Sequence, residues 1–353
     1  MKISIIMPMY NDALYLKETI LSIMKQSYKN WELIIIDDVS TDESYEIAKE
    51  MSKKDKRIKV YENKKNLGIS GNRNKGLSLA KGDYIAFCDD DDIYLDDYLM
   101  DCAKIIEENP GISMIKFGRR LISVNSLNEE FAKKDTKFDI EGEVTEEEKY
   151  EKYFLIRKSD ALFNLWNGIY QKKMLDENNI FFDEEMKYGG EDADFSYQCY
   201  LASQKIYIQP KTYYVHYKRD VSSTSRKYNM NKVDSVLKAM KREFKIWDRI
   251  DFNNLDNQYY RIIALNINID NIMFSQVFHK DSKLKYAERK RIYQRIKEET
   301  LNLRYILNKK ILKKLFKENK KHFFISLVIA TKKYFIIDIF YQFIAVFKRL
   351  SWK

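Results

Sequence analysis

The stretch YIAFCDDDD, residues 84–92, runs five largely apolar positions straight into four consecutive aspartates. A short continuous apolar run closed by turn residues reads as a strand buried on both faces. The same form recurs at ISIIM (3–7), LIIID (33–37), IKVYE (58–62) and ISMIKF (112–117). Between these runs the apolar spacing changes to that of helices. Leu16, Ile20, Ile23 and Met24 share one face, and SYEIAKEMSKK, GNRNKGLSLAKG and the stretch from about 95 to 108 read as further helices. Strands alternating with helices predict an α/β fold with a mostly parallel, Rossmann-like sheet covered on both sides. In such sheets ligands sit at the carboxyl ends of the strands. Three polar clusters fall there: PMYND after the first strand, DDVSTD after the second and DDDD after the fourth.

Residues 118–150 are polar and charged and read as an excursion or mobile segment, after which 154–217 returns to mixed α/β. From about 230 the chain reads as helical, with lysine-rich faces. The expected division is an α/β domain over 1–225, with halves 1–117 and 118–225, and a basic helical region over 226–353. At 353 residues and 45% hydrophobic, the chain is long enough for both.

Cys88, Cys102 and Cys199 lack paired spacing and read as packing residues of a reducing compartment. MKISIIMPMY has neither the apolar length nor the cleavage site of a signal peptide, so a cytoplasmic location is expected. The formal charge of +10 invites an anionic partner. No nucleic-acid-binding motif accompanies the lysines, and nucleic acid is not expected. Neither a G-x-x-x-x-G-K-[ST] loop nor a G-x-G-x-x-G turn follows the first strand, which disfavours P-loop and dinucleotide enzymes.

Four adjacent carboxylates repel one another unless a cation offsets them. Asp89 and Asp91, at i and i+2 of an extended strand end, have the hard oxygen donors and spacing for Mg²⁺ or Mn²⁺. A calcium loop counted from Asp89 fails, because Tyr94 stands where Gly is needed and Met100 where Glu is needed. Asp96 and Asp97 read as a helix start. Ser40 or Thr41 in DDVSTD reads as a helix N-cap.

The stretches ISIIMPMYNDALYLKETILSIMKQSYKNWELIIIDDVSTDESYEIA, NLGISGNRNKGLSLAKGDYIAFCDDDDIY and GGEDADF resemble, in that order, the family 2 inverting glycosyltransferases of the GT-A fold, over residues 1 to about 220. The resemblance implies that Pro8 and Tyr10 line the nucleotide pocket, with the Tyr10 ring against the base, and that Asp38 accepts a hydrogen bond from uracil. It places Arg73, Asp89 and Asp90 beside the nucleotide-sugar, with Asn66, Gly68 and Gly76 shaping the loop and helix. Asp91, with Asp89, would hold the metal that bridges the diphosphate. Asp192 of GGED would be the general base, with Glu191 and Trp166 on the acceptor side. His216 stands as a further metal candidate beside a hydrogen-bonded structural role. Tyr10 as a core aromatic and Arg73 as a helix-surface cation are the plain alternatives. Some positions depart from the family: Val39 replaces a common Gly, Asn167 a frequent Lys, and either Lys218 or Arg219 fills a basic position near the end of the match.

The resemblance therefore implies a metal-dependent enzyme that moves a hexose or N-acetylhexosamine from a UDP-sugar to a glycan or lipid-linked glycan acceptor, such as lipooligosaccharide, capsule or exopolysaccharide. The rivals are a sugar-phosphate nucleotidyltransferase, which would need a glycine- and lysine-rich loop, and a basic membrane-surface or nucleic-acid-binding protein with a degenerate transferase domain. The terminal stretch KKHFFISLVIATKKYFIIDIFYQFIAVFKRLSWK has uncharged runs too short for the ~20 residues of a membrane span. It fits an anionic membrane interface on the inner face of the cell membrane. The alternatives there are packing on the catalytic domain or homodimer formation.

Overall fold

The computed structural model describes the chain except residues 126–128, 160–161, 187–188, 220–227, 301–307, 332 and 351–353. The expected boundary near 225 and part of the expected basic-to-serine stretch, as well as Lys332 and Trp352, lie outside the described residues. Two compact units are found, Met1–Lys187 with Glu191–Ser223, and Tyr188–Gly190 with Thr224–Lys353.

The first unit begins β1 (Ile3–Met9), α1 (Ala13–Met24), β2 (Trp31–Asp37), α2 (Ser44–Lys54), β3 (Ile58–Glu62), α3 (Gly68–Leu79) and β4 (Tyr84–Phe87). Every residue of β1, β2 and β4 is buried, which is why these strands are continuous apolar runs without alternation. They pair in parallel in the order β3-β2-β1-β4. Helix α3 is rich in glycine, a poor helix former, and the packing explains it: a Cβ on Gly76 would stand 2.4 Å from the Ile6 side chain on β1.

The chain continues with β5 (Ile93–Tyr94), α4 (Tyr98–Glu108), β6 (Met114–Val124), β7 (Glu130–Thr136), β8 (Gly142–Thr145), α5 (Glu146–Glu151), α6 (Tyr153–Arg157), β9 (Gly168–Gln171), α7 (Lys172–Glu177), α8 (Glu191–Ala202) and β10 (Lys205–Arg219). The sheet extends past β4 as β9-β6-β10-β5, with β9 antiparallel to both neighbours and β6 parallel to β10. The expected excursion over 118–150 is instead built into the sheet. β6 runs on to Val124, β7 pairs with it, and β8 pairs with β10. β7 is exposed along its length and carries Lys133 and Lys134, the charged dress of an edge strand.

A second difference concerns α2, which starts at Ser44 with no side-chain cap. Ser40 and Thr41 bind the loop after β1: the Asn11 amide donates to Ser40 Oγ at 3.1 Å, and the Thr41 amide donates to Asn11 Oδ1 at 2.7 Å.

The second unit holds α9 (Asn231–Trp247), α10 (Leu255–Ile272) with a π-helical turn at Met273–Val277, α11 (Tyr286–Thr300), α12 (Lys309–Glu318), α13 (Lys320–Ala330) and α14 (Tyr334–Leu350). Asn254, Asn308 and Asn319 each accept hydrogen bonds from the first-turn amides of the helix they precede. Asp338 of α14 is buried and accepts from Arg289 Nε and from the Tyr293 hydroxyl of α11, both at 2.7 Å.

Candidate functional site

The strand order reverses at β1: the connections through β2 and β3 run one way, and the next strand, β4, lies on the opposite side of β1. Loops leaving β1 and β4 therefore part at their carboxyl ends and open a crevice. The loops are tied at its base. The Tyr10 amide donates to Asp90 Oδ2 at 3.0 Å, and Thr19 Oγ1 of α1 donates to the Asp90 carbonyl at 3.1 Å.

Each of the four aspartates after β4 has a different partner. Asp89 Oδ1 accepts from Arg73 Nη2 at 3.1 Å, and the Asp89 amide donates to the Tyr214 hydroxyl at 3.1 Å. Asp90 takes the Tyr10 amide and shares a hydrogen bond with Asp12. Asp91 Oδ2 accepts from Arg219 Nη1 at 2.7 Å. Asp92, fully buried, accepts from the Tyr217 amide at 2.9 Å and lies 3.0 Å from His216 Nδ1. The carboxylates are thus turned outward to separate partners, which relieves the repulsion their adjacency creates. The relief is partial. Burial, together with the neighbouring Asp92 and against the pull of Arg219, raises Asp91 to about 8. Burial likewise pushes Asp90 well above the ordinary carboxylate range and Asp12 up to about 6.

Arg73 is the node of the site. Placed on the inner face of α3, it is 1% exposed, which rules out a helix-surface cation. Its guanidinium reaches Asp89, hydrogen-bonds Asp192 Oδ1 and lies 3.6 Å from Glu191. Asp192 and Glu191 open α8, where the helix dipole favours acidic residues. Gly189 and Gly190 just before them take φ of +118° and +92°, a turn that favours glycine. Burial works against the charge of Arg73, but Asp192, Asp89 and Glu191 together raise its pKa above the ordinary value. Burial, then repulsion from Asp192, raises Glu191 to about 7 despite Arg73. Asp192 keeps 29% of its side chain exposed, and its Oδ2 has no hydrogen-bond partner among the described residues.

On the other side of β1, Asp38 Oδ1 accepts from the Leu67 amide at 2.7 Å and from Asn63 Nδ2 at 2.9 Å. Its Oδ2 accepts from the Gly68 amide at 2.9 Å, and Asn66 Nδ2 donates to its carbonyl at 3.2 Å. Oδ2 retains one lone pair for a further donor. Pro8 is buried within β1, whereas Tyr10 at its end is 50% exposed and is therefore no core aromatic. Val39 adopts φ +67°, the conformation for which the family's Gly is suited and which a β-branched residue rarely takes.

Trp166 is 3% exposed and lies flat across Tyr214, 4.4 Å between centroids, and His216, 5.1 Å. Tyr214 and His216 follow each other on one face of β10. Burial opposes a charge on His216, but Asp92 outweighs it and raises its pKa. The loop carrying Trp166 is held from beneath by Lys116, whose buried Nζ donates to the Asn164 carbonyl at 2.5 Å and to Asn167 Oδ1 at 3.0 Å. The sequence reading gave Lys116 and Asp12 no role, and left the basic position open between Lys218 and Arg219. The structure has Arg219 reach Asp91 and lie 3.7 Å over the Tyr15 ring. A cavity of about 170 Å³ opens beside that pair, walled also by Glu18, Glu130 and Tyr217.

Among the described residues no three His, Cys, Asp or Glu side chains converge as a complete metal shell. Asp89 and Asp91 nevertheless have donors that suit a hard divalent cation: both are partly exposed carboxylates at a strand end, with Asp90 and Asp92 beside them adding negative charge. Mg²⁺ and Mn²⁺ commonly complete such a pair with water and diphosphate oxygens.

Comparison with known proteins identifies the family. Residues 4–162 match the model of Glycosyl transferase family 2. The GalNAc(5)-diNAcBac-PP-undecaprenol beta-1,3-glucosyltransferase of Campylobacter jejuni is 31% identical over 253 residues, 70% of this chain and 71% of that protein. Glycosyltransferase GlyA of Streptococcus pneumoniae is 32% identical over 248 residues, 68% of this chain but only 34% of that longer protein. The crystal structure of Staphylococcus aureus TarS 1–349 in complex with UDP-GlcNAc superimposes with a TM-score of 0.64 over 93% of this chain and 90% of that one, at 22% identity, which establishes the shared GT-A fold. Matched by the family model over its first half and by a relative of similar length at 31% identity, the chain belongs to glycosyl transferase family 2.

Proposed function

We propose that the protein is an inverting glycosyltransferase that moves a hexose or N-acetylhexosamine from a UDP-sugar to a surface-glycan acceptor carried on lipid, working at the inner face of the cell membrane. The observation that carries this reading is the Arg73 node. One buried guanidinium holds both Asp89, on the leaving-group side, and Asp192, the remote carboxylate. Displacement at an anomeric carbon needs this inventory: charge stabilisation for the departing diphosphate, and a base across from it.

In the proposed reaction Asp192 Oδ2, without a hydrogen-bond partner among the described residues, takes the proton of the acceptor hydroxyl as its oxygen bonds the anomeric carbon. The bond from that carbon to the diphosphate oxygen breaks, leaving UDP, and an α-linked donor gives a β-linked product. Asp89 and Asp91 are the residues that would hold Mn²⁺ or Mg²⁺, which when bound supplies Lewis-acid stabilisation of the diphosphate. Tyr10 would stack on uracil and Asp38 Oδ2 would receive its N–H; Pro8 and Asp90 would shape the ribose side. The named relatives support the acceptor class: one acts on a PP-undecaprenol-linked glycan, and Staphylococcus aureus TarS, 30% identical over 233 residues, on poly(ribitol-phosphate).

The test is UDP release from a panel of UDP-sugars with a lipid-linked glycan pool, in Mn²⁺ or EDTA, for wild type, Asp91→Ala and Asp192→Asn. Release from one donor, abolished by EDTA and by Asp91→Ala and lowered ~10²- to 10⁴-fold by Asp192→Asn, is expected. No release, and no metal-dependent UDP binding by calorimetry, would overturn the proposal.

A further inference from the structure

Helix α14 has two faces of opposite use. Ile337, Asp338, Tyr341 and Ala345 are buried, with Tyr341 donating to Asp270 at 2.9 Å and Asp338 held by Arg289. The other face presents Phe335, Ile339, Phe343, Val346 and Phe347, each more than half exposed. Their spacing of about four residues makes one continuous apolar stripe along a 17-residue helix. Five large apolar side chains in a row are not the scattered exposure of an ordinary surface; such a stripe marks a site of association.

Charge decides with what. Across residues 309–350 the sequence has eleven Lys and Arg against two acidic residues, and one of those two, Asp338, is buried in its pair with Arg289. On α12, Lys309, Lys313 and Lys317 form an exposed row at four-residue spacing, with Ile311 and Leu315 on the buried face. On α13, Lys320, Phe324 and Leu327 are exposed together. Lys333 precedes the stripe, and Lys348 and Arg349 follow it in sequence. A second copy of the chain joined along α14 would bring two strongly basic segments together. An anionic surface with an apolar interior satisfies both features at once.

We propose that the outward face of α14 lies in the plane of an anionic lipid bilayer, its five apolar side chains inserted at the headgroup boundary and the lysines of α12 and α13 resting on the phosphates. The helix lies on the surface: among the described residues no helix is long and apolar enough to cross a membrane. This deepens the proposed function by naming what brings the enzyme to a lipid-linked acceptor, and it rests on that reading only for its purpose.

The test is co-sedimentation of the full-length protein with vesicles of phosphatidylcholine alone or with one third phosphatidylglycerol, alongside sedimentation-velocity measurement of its oligomeric state. Wild type is expected to partition onto the anionic vesicles at least tenfold more strongly than onto the neutral ones. Phe343→Ser with Phe347→Ser, and separately Lys309→Glu with Lys313→Glu and Lys317→Glu, are each expected to lower that partition at least tenfold. Both leave UDP-sugar hydrolysis without acceptor at its wild-type rate, because none of these residues belongs to the transferase site. Absence of vesicle binding overturns the proposal, as does a dimer that the Phe343/Phe347 variant dissociates. Vesicle binding without transferase activity sustains this inference and defeats only the proposed function.

Discussion

Arg219 donates to Asp91 at 2.7 Å while its guanidinium lies 3.7 Å over the ring of Tyr15. The aspartate proposed to hold a metal is thus already matched with a positive charge from β10. A cation arriving at Asp91 competes with that arginine. Arg219→Gln is expected to tighten Mn²⁺ binding by the nucleotide-free protein roughly fivefold, since a partly exposed ion pair contributes about 1 kcal/mol. Asp91→Asn is expected to abolish the binding. Electron paramagnetic resonance titration of free Mn²⁺ reads both; unchanged affinity in Arg219→Gln would show that the pair offers no competition.

Arg73 carries more of the structure. Removing one partner from a buried ionic cluster costs about 3–5 kcal/mol, because the charges left behind are unopposed. Arg73→Met is expected to lose stability of that order in urea unfolding. Arg73→Lys keeps the charge but not the fork that reaches Asp89 and Asp192 together, and is expected to recover most of the stability with little turnover. Equal losses in the two variants would contradict a bridging role.

Val39 gives a prediction of opposite sign. Its φ of +67° costs an L-residue about 1–2 kcal/mol, and glycine removes that cost while loosening the unfolded chain by about 0.5–1 kcal/mol. Val39→Gly is expected to raise stability by about 0.5–1 kcal/mol, seen as a higher urea midpoint with an unchanged slope.

Lys116 governs a pH effect. Burial lowers its pKa to about 7 in the folded protein, below the ordinary lysine value of 10.5. Between those limits the unfolded chain binds the proton that the folded one releases, so stability from this group rises with pH from about 7 to 10.5. Below pH 7 both states are protonated and the rise is absent. Lys116→Met is expected to flatten this segment of the stability profile, and to lower stability at pH 9 because the Lys116 hydrogen bonds to the Asn164 carbonyl and Asn167 Oδ1 are lost. Unfolding curves from pH 6 to 10 decide it.

The parallel half of the sheet was legible because its strands are buried on both faces, so ISIIM and LIIID carry no polar interruption. β7 was not legible: EFAKKDT is exposed and charged because it lies at an edge, and the same composition describes a loop. Among the site residues, the DDDD run and GGED could be read as chemistry, since carboxylates in a row need explaining. The burial of Arg73 could not, because it depends on Asp192, 119 residues away, folding back over α3. The role of Arg219 was hidden for the same reason: only the pairing of β10 beside β5 and β6 brings it to Asp91. Val39 was legible as an oddity through the family's glycine, and its backbone angle gives that oddity a physical form.

Four successive amides after β1 are each engaged by a side chain from elsewhere in the fold: Tyr10 by Asp90, Asn11 by Ser40, Asp12 by Ser44 and Ala13 by Asp42. A loop so moored has little conformational freedom left to surrender when a ligand arrives. The entropy lost on binding at this floor falls on the ligand, on released water and on the half-exposed ring of Tyr10. Amide hydrogens 10–13, although close to solvent, are therefore expected to exchange slowly even without a ligand.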